Sequence, residues 1–156
     1  MVRTMTSIRL ETSIAAPIER VFDLAREIDL HARSMVGSGE RATAGRTTGR
    51  IERGETVTWR ARHFGLWWSL TSCITVVEPP LRFVDEQARG PFRRFRHEHR
   101  FAPANGGTLM TDTWEHVAPF GVLGRLVDRL VLGDHMRRLL ETRNAALKAE
   151  AEAEVR

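Results

Sequence analysis

The stretch that decides the fold runs Phe83-Val-Asp-Glu-Gln-Ala-Arg-Gly-Pro-Phe-Arg-Arg-Phe-Arg-His-Glu-His-Arg-Phe101. Side chains of a β-strand alternate between the two faces of a sheet, so residues two apart share a face. From residue 95 onward one face carries Phe95, His97, His99 and Phe101, and the other carries Arg94, Arg96, Glu98 and Arg100. The preceding run places Leu81, Phe83, Asp85 and Gln87 on one side, again mixing apolar and polar groups.

This mixture is more typical of a cavity wall than of a solid core. A buried polar group without a partner costs about 1–3 kcal/mol, so imidazole, carboxyl and amide groups among aromatic rings need contact with one another, with water or with a ligand. Gly90-Pro91 is a turn signal and predicts a hairpin between the two runs. We therefore expect Asp85, Gln87, His97 and His99 to project into one interior space, provided that the parity is the same on both sides of the turn.

The length and composition fit a single globular domain over residues 1–156, with room for a pocket. No apolar run approaches the ~20 residues that cross a bilayer, and the first residues contain no signal-like apolar segment. These features predict a cytoplasmic protein without integral membrane association. Cys73 is the only cysteine, which predicts a small buried hydrophobe and no disulfide.

The charge pattern argues against a nucleic-acid partner. The formal net charge is only +4, and Lys148 is the only lysine. The arginines are spread along the chain with acidic residues between them, whereas a nucleic-acid-binding domain concentrates its basic residues in a stripe. No nucleic-acid-binding motif accompanies them.

The periodicity predicts an order of elements. Alternation predicts strands over residues 6–15, 55–63, 66–77, 81–88, 92–101 and 108–117, with two weakly patterned strands between Gly37 and Gly54. Spacing of three to four residues predicts a helix after Pro17 and a short one over residues 30–35. A long amphipathic helix follows, interrupted at Gly133-Asp134, with the apolar stripe Leu123, Leu126, Val127, Leu130, Met136, Leu139, Leu140 and Leu147. If this stripe closes the core, replacing Leu126 or Leu130 with Ala should destabilise the fold by about 2–5 kcal/mol.

Three motifs in a fixed order carry a family resemblance. They are Ile14-Ala-Ala-Pro-Ile-Glu-Arg-Val-Phe22, then Gly90-Pro-Phe with His97-x-His99-x-Phe101, then Gly106-Gly-Thr-Leu-Met-Thr-Asp112 followed by Pro119-Phe-Gly. With the order of elements, they make the chain resemble the START-like, Bet v 1-like helix-grip superfamily (SRPBCC), in its bacterial polyketide cyclase/dehydrase-like branch. The resemblance implies an α+β fold with a curved antiparallel sheet of six to seven strands around a long C-terminal helix, and two short helices after the first strand. It also implies a ligand cavity between sheet and helix, with no cofactor and no metal.

The candidate ligand-binding residues follow from the faces of the strands. On the last strand we expect the face of Met110 and Trp114 to point inward because it is the more apolar one. Trp68 is preferred to Trp67 because it shares a face with apolar neighbours, and an exposed Trp67 would suit a homodimer contact or a membrane surface. The full set is Phe83, Asp85, Gln87, Phe95, His97, His99, Phe101, Asp112, Trp114, His116 and Trp68.

The histidines allow three interpretations. His97 and His99 would lie roughly 6–7 Å apart on one strand face, close enough to bind one metal ion with a third ligand from His116, Asp112 or Asp85. The favoured interpretation is a hydrogen-bonded polar cluster inside a pocket, with no metal. The third is catalysis, in which His97, His99 and Asp85 are candidate acid–base groups.

The leading functional hypothesis is a carrier or sensor of a small hydrophobic or aromatic molecule. It predicts a cavity of a few hundred Å³ lined by Phe83, Phe95, Phe101, Trp114 and the helix stripe. One alternative is a polyketide cyclase/dehydratase-type enzyme that uses His97 or His99 with Asp85, so whether the protein is an enzyme stays open at this point. Another is an accessory protein that recognises a partner through its surface.

Overall fold

One antiparallel sheet organises the computed structural model, which describes residues 5–153. The sheet has the strand order β1-β7-β6-β5-β4-β3-β2. Its strands are β1 (Thr6–Ile14), β2 (Arg41–Gly45), β3 (Thr56–His63), β4 (Leu66–Glu78), β5 (Arg82–Arg89), β6 (Arg94–Ala104) and β7 (Gly107–Val117). The helices are α1 (Ile18–Ala25), α2 (Ile28–Ser34), α3 (Gly121–Val127) and α4 (Gly133–Ala153). The predicted helix-grip fold is confirmed; residues 1–4 and 154–156 of the predicted domain lie outside the described residues.

The β6–β7 hairpin has the turn that its sequence predicts. Asn105 and Gly106 have φ angles of 50° and 76°, both in the left-handed region that a tight two-residue hairpin turn requires. The turn fixes the register, which pairs His97 with Trp114 and His99 with Asp112. Residues paired across antiparallel strands point to the same face, so these four side chains all lie on one face.

The β5–β6 pairing has the parity that the sequence argument needs. Phe83 pairs with His99, and Asp85 pairs with His97, so the polar groups of both strands share the concave face of the sheet. Leu81 is an exception: it precedes β5 and is exposed, so its predicted place on this face is wrong. The alternation of a strand does not extend to Leu81 because β5 begins only at Arg82.

The segment between Gly37 and Gly54 forms one strand, β2, where two were predicted. Gly45 and Gly49 each have a φ of 71°, and this left-handed conformation ends the strand at Gly45. Arg50 makes only a single bridge to Glu27.

Helix α4 packs against the sheet through a narrow apolar stripe. Leu140, Leu147 and Ala151 are buried along it. Leu147 joins the main core cluster, which also contains Phe22 from α1 and Phe83 from β5. None of the helices within residues 5–153 has both the length and the apolarity that a membrane span requires.

The apolar stripe of the C-terminal helix does not continue through α3. Residues Asp128–Leu132 form a π-helical turn between α3 and α4, and the wider turn changes the phase of the helix. Leu126 and Leu130 are therefore 53% and 67% exposed, while Asp128 is buried at 5% exposure. The prediction that Leu126 and Leu130 close the core is wrong, and with it the predicted loss of stability on their replacement.

Candidate functional site

A cavity of about 570 Å³ lies between the concave face of the sheet and the helices. Its wall is mainly aromatic and aliphatic, with Trp59 from β3 and Leu139 and Leu140 from α4 among the lining residues. Of the residues that the sequence analysis selected, the cavity wall includes Trp68, Phe83, Asp85, Phe95, His97, His99 and Trp114.

Three other predicted residues support the wall from behind. Phe101 belongs to the core, where its ring centroid lies 5.5 Å from that of Phe22. The Gln87 amide donates to the backbone oxygen of Phe92 at 2.8 Å, which ties down the turn between β5 and β6. His116 accepts a hydrogen bond from Trp114 Nε1 at its Nδ1 and contacts Asp128 Oδ1 at 2.7 Å through its Nε2, so it anchors the π-helical turn.

Asp112 is the fourth predicted residue that does not line the cavity. It lies fully buried beneath His97 and His99. It accepts hydrogen bonds from His97 Nε2 at 2.8 Å and from Asn144 Nδ2 at 2.6 Å, and Arg143 is 3.4 Å away. Burial alone would raise the pKa of Asp112, but the hydrogen bonds and charges of His97 and His99 outweigh burial and hold it well below its usual value. The carboxylate is therefore ionised and orients the side chains around it.

Asp85, His97 and His99 form the polar end of the cavity, which we call the floor cluster. Asp85 Oδ1 is 3.3 Å from His99 Nε2 and 3.9 Å from His97 Nδ1. The two imidazole centroids are 3.7 Å apart, and the ring of Phe83 stacks on His99 at 4.0 Å. The other nitrogen of His99, Nδ1, lies 3.0 Å from Asp112 Oδ1, so each ring nitrogen of His99 faces a carboxylate.

The electrostatics of the floor cluster fix one tautomer. Burial, reinforced by His99, lowers the pKa of His97 to about 4, although Asp112 and Asp85 oppose this shift. His97 is therefore neutral at pH 7, donates its Nε2 hydrogen to Asp112 and leaves a lone pair on Nδ1. Burial alone would raise the pKa of Asp85, but His99, His97 and Arg143 lower it, so Asp85 is a carboxylate.

A second pair of histidines lies at the mouth of the cavity. His63 Nδ1 at the end of β3 is 3.0 Å from His135 Nε2 on α4, and Phe64 lies against His135 with centroids 4.6 Å apart. Burial lowers the pKa of both histidines. The pair was not predicted from the sequence, since the two residues are 72 positions apart and no local pattern links them.

The two neighbouring tryptophans of β4 take different sides. Trp68 lines the cavity and donates its Nε1 hydrogen to the backbone oxygen of His63. Trp67 lies on the other face, 50% exposed, with the Arg60 guanidinium over its ring. Trp68 is itself 41% exposed because it stands at the mouth.

Arg143 and Asn144 are the functional residues that the sequence reasoning missed. Both are buried on α4 and bind Asp112. A signal was available: they lie three and four positions after Leu140, on the inward stripe, where a polar residue requires a buried partner.

A curved sheet that encloses a cavity against a C-terminal helix defines the helix-grip class of proteins. The chain belongs to the family described as "Polyketide cyclase / dehydrase and lipid transport", whose model matches residues 5–152.

Solved structures of similar fold come from distant relatives. TTHA0849 from Thermus thermophilus is 21% identical with a TM-score of 0.73, and the match covers 94% of this chain and 99% of that one. The Zhui aromatase/cyclase from Streptomyces sp. R1128 is 20% identical with a TM-score of 0.68, covering 98% and 97%. The major latex-like protein 151 from Panax ginseng is 11% identical with a TM-score of 0.65, covering 94% and 97%. A comparison with curated proteins gave no significant match.

Proposed function

We propose that the protein binds a small hydrophobic or aromatic molecule in this cavity, as a carrier or sensor. The observation that carries the proposal is the cavity of about 570 Å³, whose wall is mainly apolar while Asp85, His97 and His99 converge at one end. This volume lies within the range of about 300–1,000 Å³ that is typical of ligand pockets. The name of the family, which includes lipid transport and polyketide chemistry, supports the same class of ligand.

The floor cluster indicates which polar group the ligand carries. His97 Nδ1 presents a lone pair and Asp85 presents a carboxylate, so both are acceptors. A ligand that places a hydroxyl or an N–H group against them satisfies both, whereas a ligand carboxylate would meet the negative charge of Asp85. We therefore expect an apolar or aromatic body with one hydrogen-bond donor at the buried end.

The mouth supports entry of an apolar molecule. Phe64, Trp68 and Leu123 line the cavity and are 56%, 41% and 68% exposed. These uncharged side chains form an apolar route from the protein surface to the interior of the cavity.

Filling the cavity tests the proposal. Ala61 is a small residue on the cavity wall, so Ala61→Phe should occupy the void and abolish binding of the neutral fluorescent probe N-phenyl-1-naphthylamine. Ala102 is exposed on the opposite face of β6, which makes Ala102→Phe the matched control with unchanged binding. The proposal would be contradicted if the wild-type protein did not bind the probe, or if Ala61→Phe bound it as tightly as the wild-type protein does. Native mass spectrometry of protein purified from its own host would then identify the natural ligand.

Acid–base catalysis on a polyketone is the second candidate, and the neutral His97 beside Asp85 favours it. His97 Nδ1 would remove a proton from a carbon between two carbonyl groups. The electron pair of that carbon would attack a carbonyl carbon of the same chain, the new alkoxide would take up a proton, and loss of water would follow.

Product formation separates the two candidates. Wild-type protein should convert a linear poly-β-ketone faster than the uncatalysed reaction, and His97→Gln should lose this acceleration while still binding the neutral probe. Equal rates with and without protein would leave binding as the function of the cavity.

A further inference from the structure

We infer that Asp85, His97 and His99 form a binding site for one divalent first-row transition-metal ion, with Zn²⁺ as the reference ion. The inference does not rest on the organic ligand of the cavity. It departs from the expectation from sequence that the histidines bind no metal.

The ligand atoms have suitable separations. One nitrogen from each histidine and one oxygen of Asp85 all lie within 4.8 Å of one another. Asp85 Oδ1 is 3.3 Å from His99 Nε2 and 3.9 Å from His97 Nδ1. Ligand atoms around a tetrahedral ion lie about 3.3–3.5 Å apart when the metal–ligand bonds are about 2.0–2.2 Å long. Small rotations of the side chains would therefore complete the site.

Asp112 occupies the position of an orienting carboxylate behind the ligands. Its Oδ1 is 2.8 Å from His97 Nε2 and 3.0 Å from His99 Nδ1, which are the ring nitrogens turned away from Asp85. Metal-binding histidines commonly donate their second ring N–H to a carboxylate, which fixes the tautomer and makes the other nitrogen a better ligand. A single carboxylate serves both histidines here, and Asn144 and Arg143 hold it in place.

The two ring nitrogens that would bind the ion both lie near Asp85. Among the residues that the structure describes, the hydrogen bond of the His97 side chain is made by Nε2, to Asp112, so Nδ1 is available as a ligand. His99 hydrogen-bonds Asp85 through Nε2, and a metal ion there would move that proton to Nδ1, beside Asp112. Two carboxylates against one guanidinium, Arg143, leave the surroundings net negative, which favours a cation.

The chemistry of the site indicates both the metal and its use. Two imidazoles and one carboxylate favour Zn²⁺ or Fe²⁺ over Mg²⁺ and Ca²⁺, which prefer oxygen ligands. All three ligands lie on the cavity wall, so the remaining coordination positions face the cavity. A hydroxyl or carbonyl oxygen of a bound molecule would reach the ion there.

Metal titration tests the inference. The protein is freed of metal with a chelator and titrated with Zn²⁺ by calorimetry, and we expect one ion per chain. Asp85→Asn, which keeps the shape of the side chain, and His99→Gln should each weaken binding by at least about tenfold, as loss of even an outer partner costs about 10–100-fold. His135→Gln is the control, because it removes a cavity histidine outside the site and should leave the affinity unchanged.

A measurement on the unaltered protein covers the case in which a variant does not fold. Zn²⁺ should shift the imidazole nitrogen resonances of His97 Nδ1 and His99 Nε2 and leave His63 and His135 in place. Absence of binding at millimolar Zn²⁺, equal affinity in Asp85→Asn, or shifts confined to His63 and His135 would each overturn the inference. Binding of the apolar probe is measured separately, so failure here does not affect the proposed function.

Discussion

The two ends of the cavity use the same residue types in opposite ways. At the floor, His97 and His99 are 4% and 3% exposed and rest on the carboxylates of Asp112 and Asp85. At the mouth, His63 and His135 hydrogen-bond each other, with the exposed Phe64 beside them. Burial lowers the pKa of His97 at the floor and of His63 at the mouth, but of these two only His97 also hydrogen-bonds a carboxylate, that of Asp112. The floor is therefore built for fixed geometry, and the mouth for contact with solvent and an entering molecule.

Loss of Asp112 should have the largest effect. Asp112→Asn leaves the buried Arg143 without its ion-pair partner and puts an NH2 donor in place of one acceptor oxygen, against His97 or Asn144, so we expect a loss of about 3–5 kcal/mol in the free energy of unfolding. Urea denaturation measures it. Glu115→Gln on the outer face of the same strand is the control, with a change below about 1 kcal/mol. Equal losses in the two variants would show that Asp112 does not hold the floor together.

Leucine-to-alanine substitutions compare two helical segments, α4 and the π-helical turn that precedes it. Leu140 on α4 is 4% exposed, so Leu140→Ala should cost about 2–5 kcal/mol of stability. Leu130 is 67% exposed, so Leu130→Ala should change stability by no more than about 0.5 kcal/mol. Thermal and urea unfolding of both variants decide the matter. A large loss in Leu130→Ala would restore the continuous stripe predicted from sequence.

As the pH falls, protonation of His97 in the floor cluster should be the first of these titrations to destabilise the metal-free protein. The pKa of His97 is lowered from 6.5 to about 4 on folding, so the unfolded chain binds the proton more readily. The corresponding stability is complete above pH 6.5 and is lost as the pH falls towards 4, by up to about 3 kcal/mol at about 1.4 kcal/mol per pKa unit. His97→Gln should flatten this dependence. Asp85 and Asp112 titrate below their ordinary values, so they act only at lower pH.

Histidine titration by NMR makes the same comparison site by site. His97 should titrate near pH 4, whereas His63 and His135 should titrate below 6.5 with smaller shifts because they are less buried. A His97 midpoint near 6.5 would remove the electrostatic difference between floor and mouth.

Probe binding gives the smallest expected effect. His97→Ala or His99→Ala should weaken binding of N-phenyl-1-naphthylamine about fivefold, since one hydrogen bond is worth about 1 kcal/mol. Arg94→Ala and Arg96→Ala, on the outer face of β6, should leave the affinity within about twofold. Equal affinity across the four variants would place the probe away from the floor.

The sequence predicted the floor better than the mouth because the floor depends on strand alternation. Asp85, His97 and His99 came to one face because a single turn and a two-residue repeat fix their parity. The stripe through Leu126 and Leu130 failed because the π-helical turn changes the helix phase, and the 3.6-residue pattern does not reveal it. His63 and His135 were missed because their contact joins elements that are distant in sequence.

The sequence by itself determined the strands, their faces and the Asn105-Gly106 turn, because these follow from local backbone geometry and from which side chains prefer burial. It also determined the resemblance that led to the fold. Only the tertiary structure decided that Asp112 lies between two imidazoles, that Arg143 and Asn144 hold it, and that Asp128 takes the place of an apolar residue. Those contacts depend on the curvature of the sheet and the phase of the helix above it, which arise from packing over the whole chain.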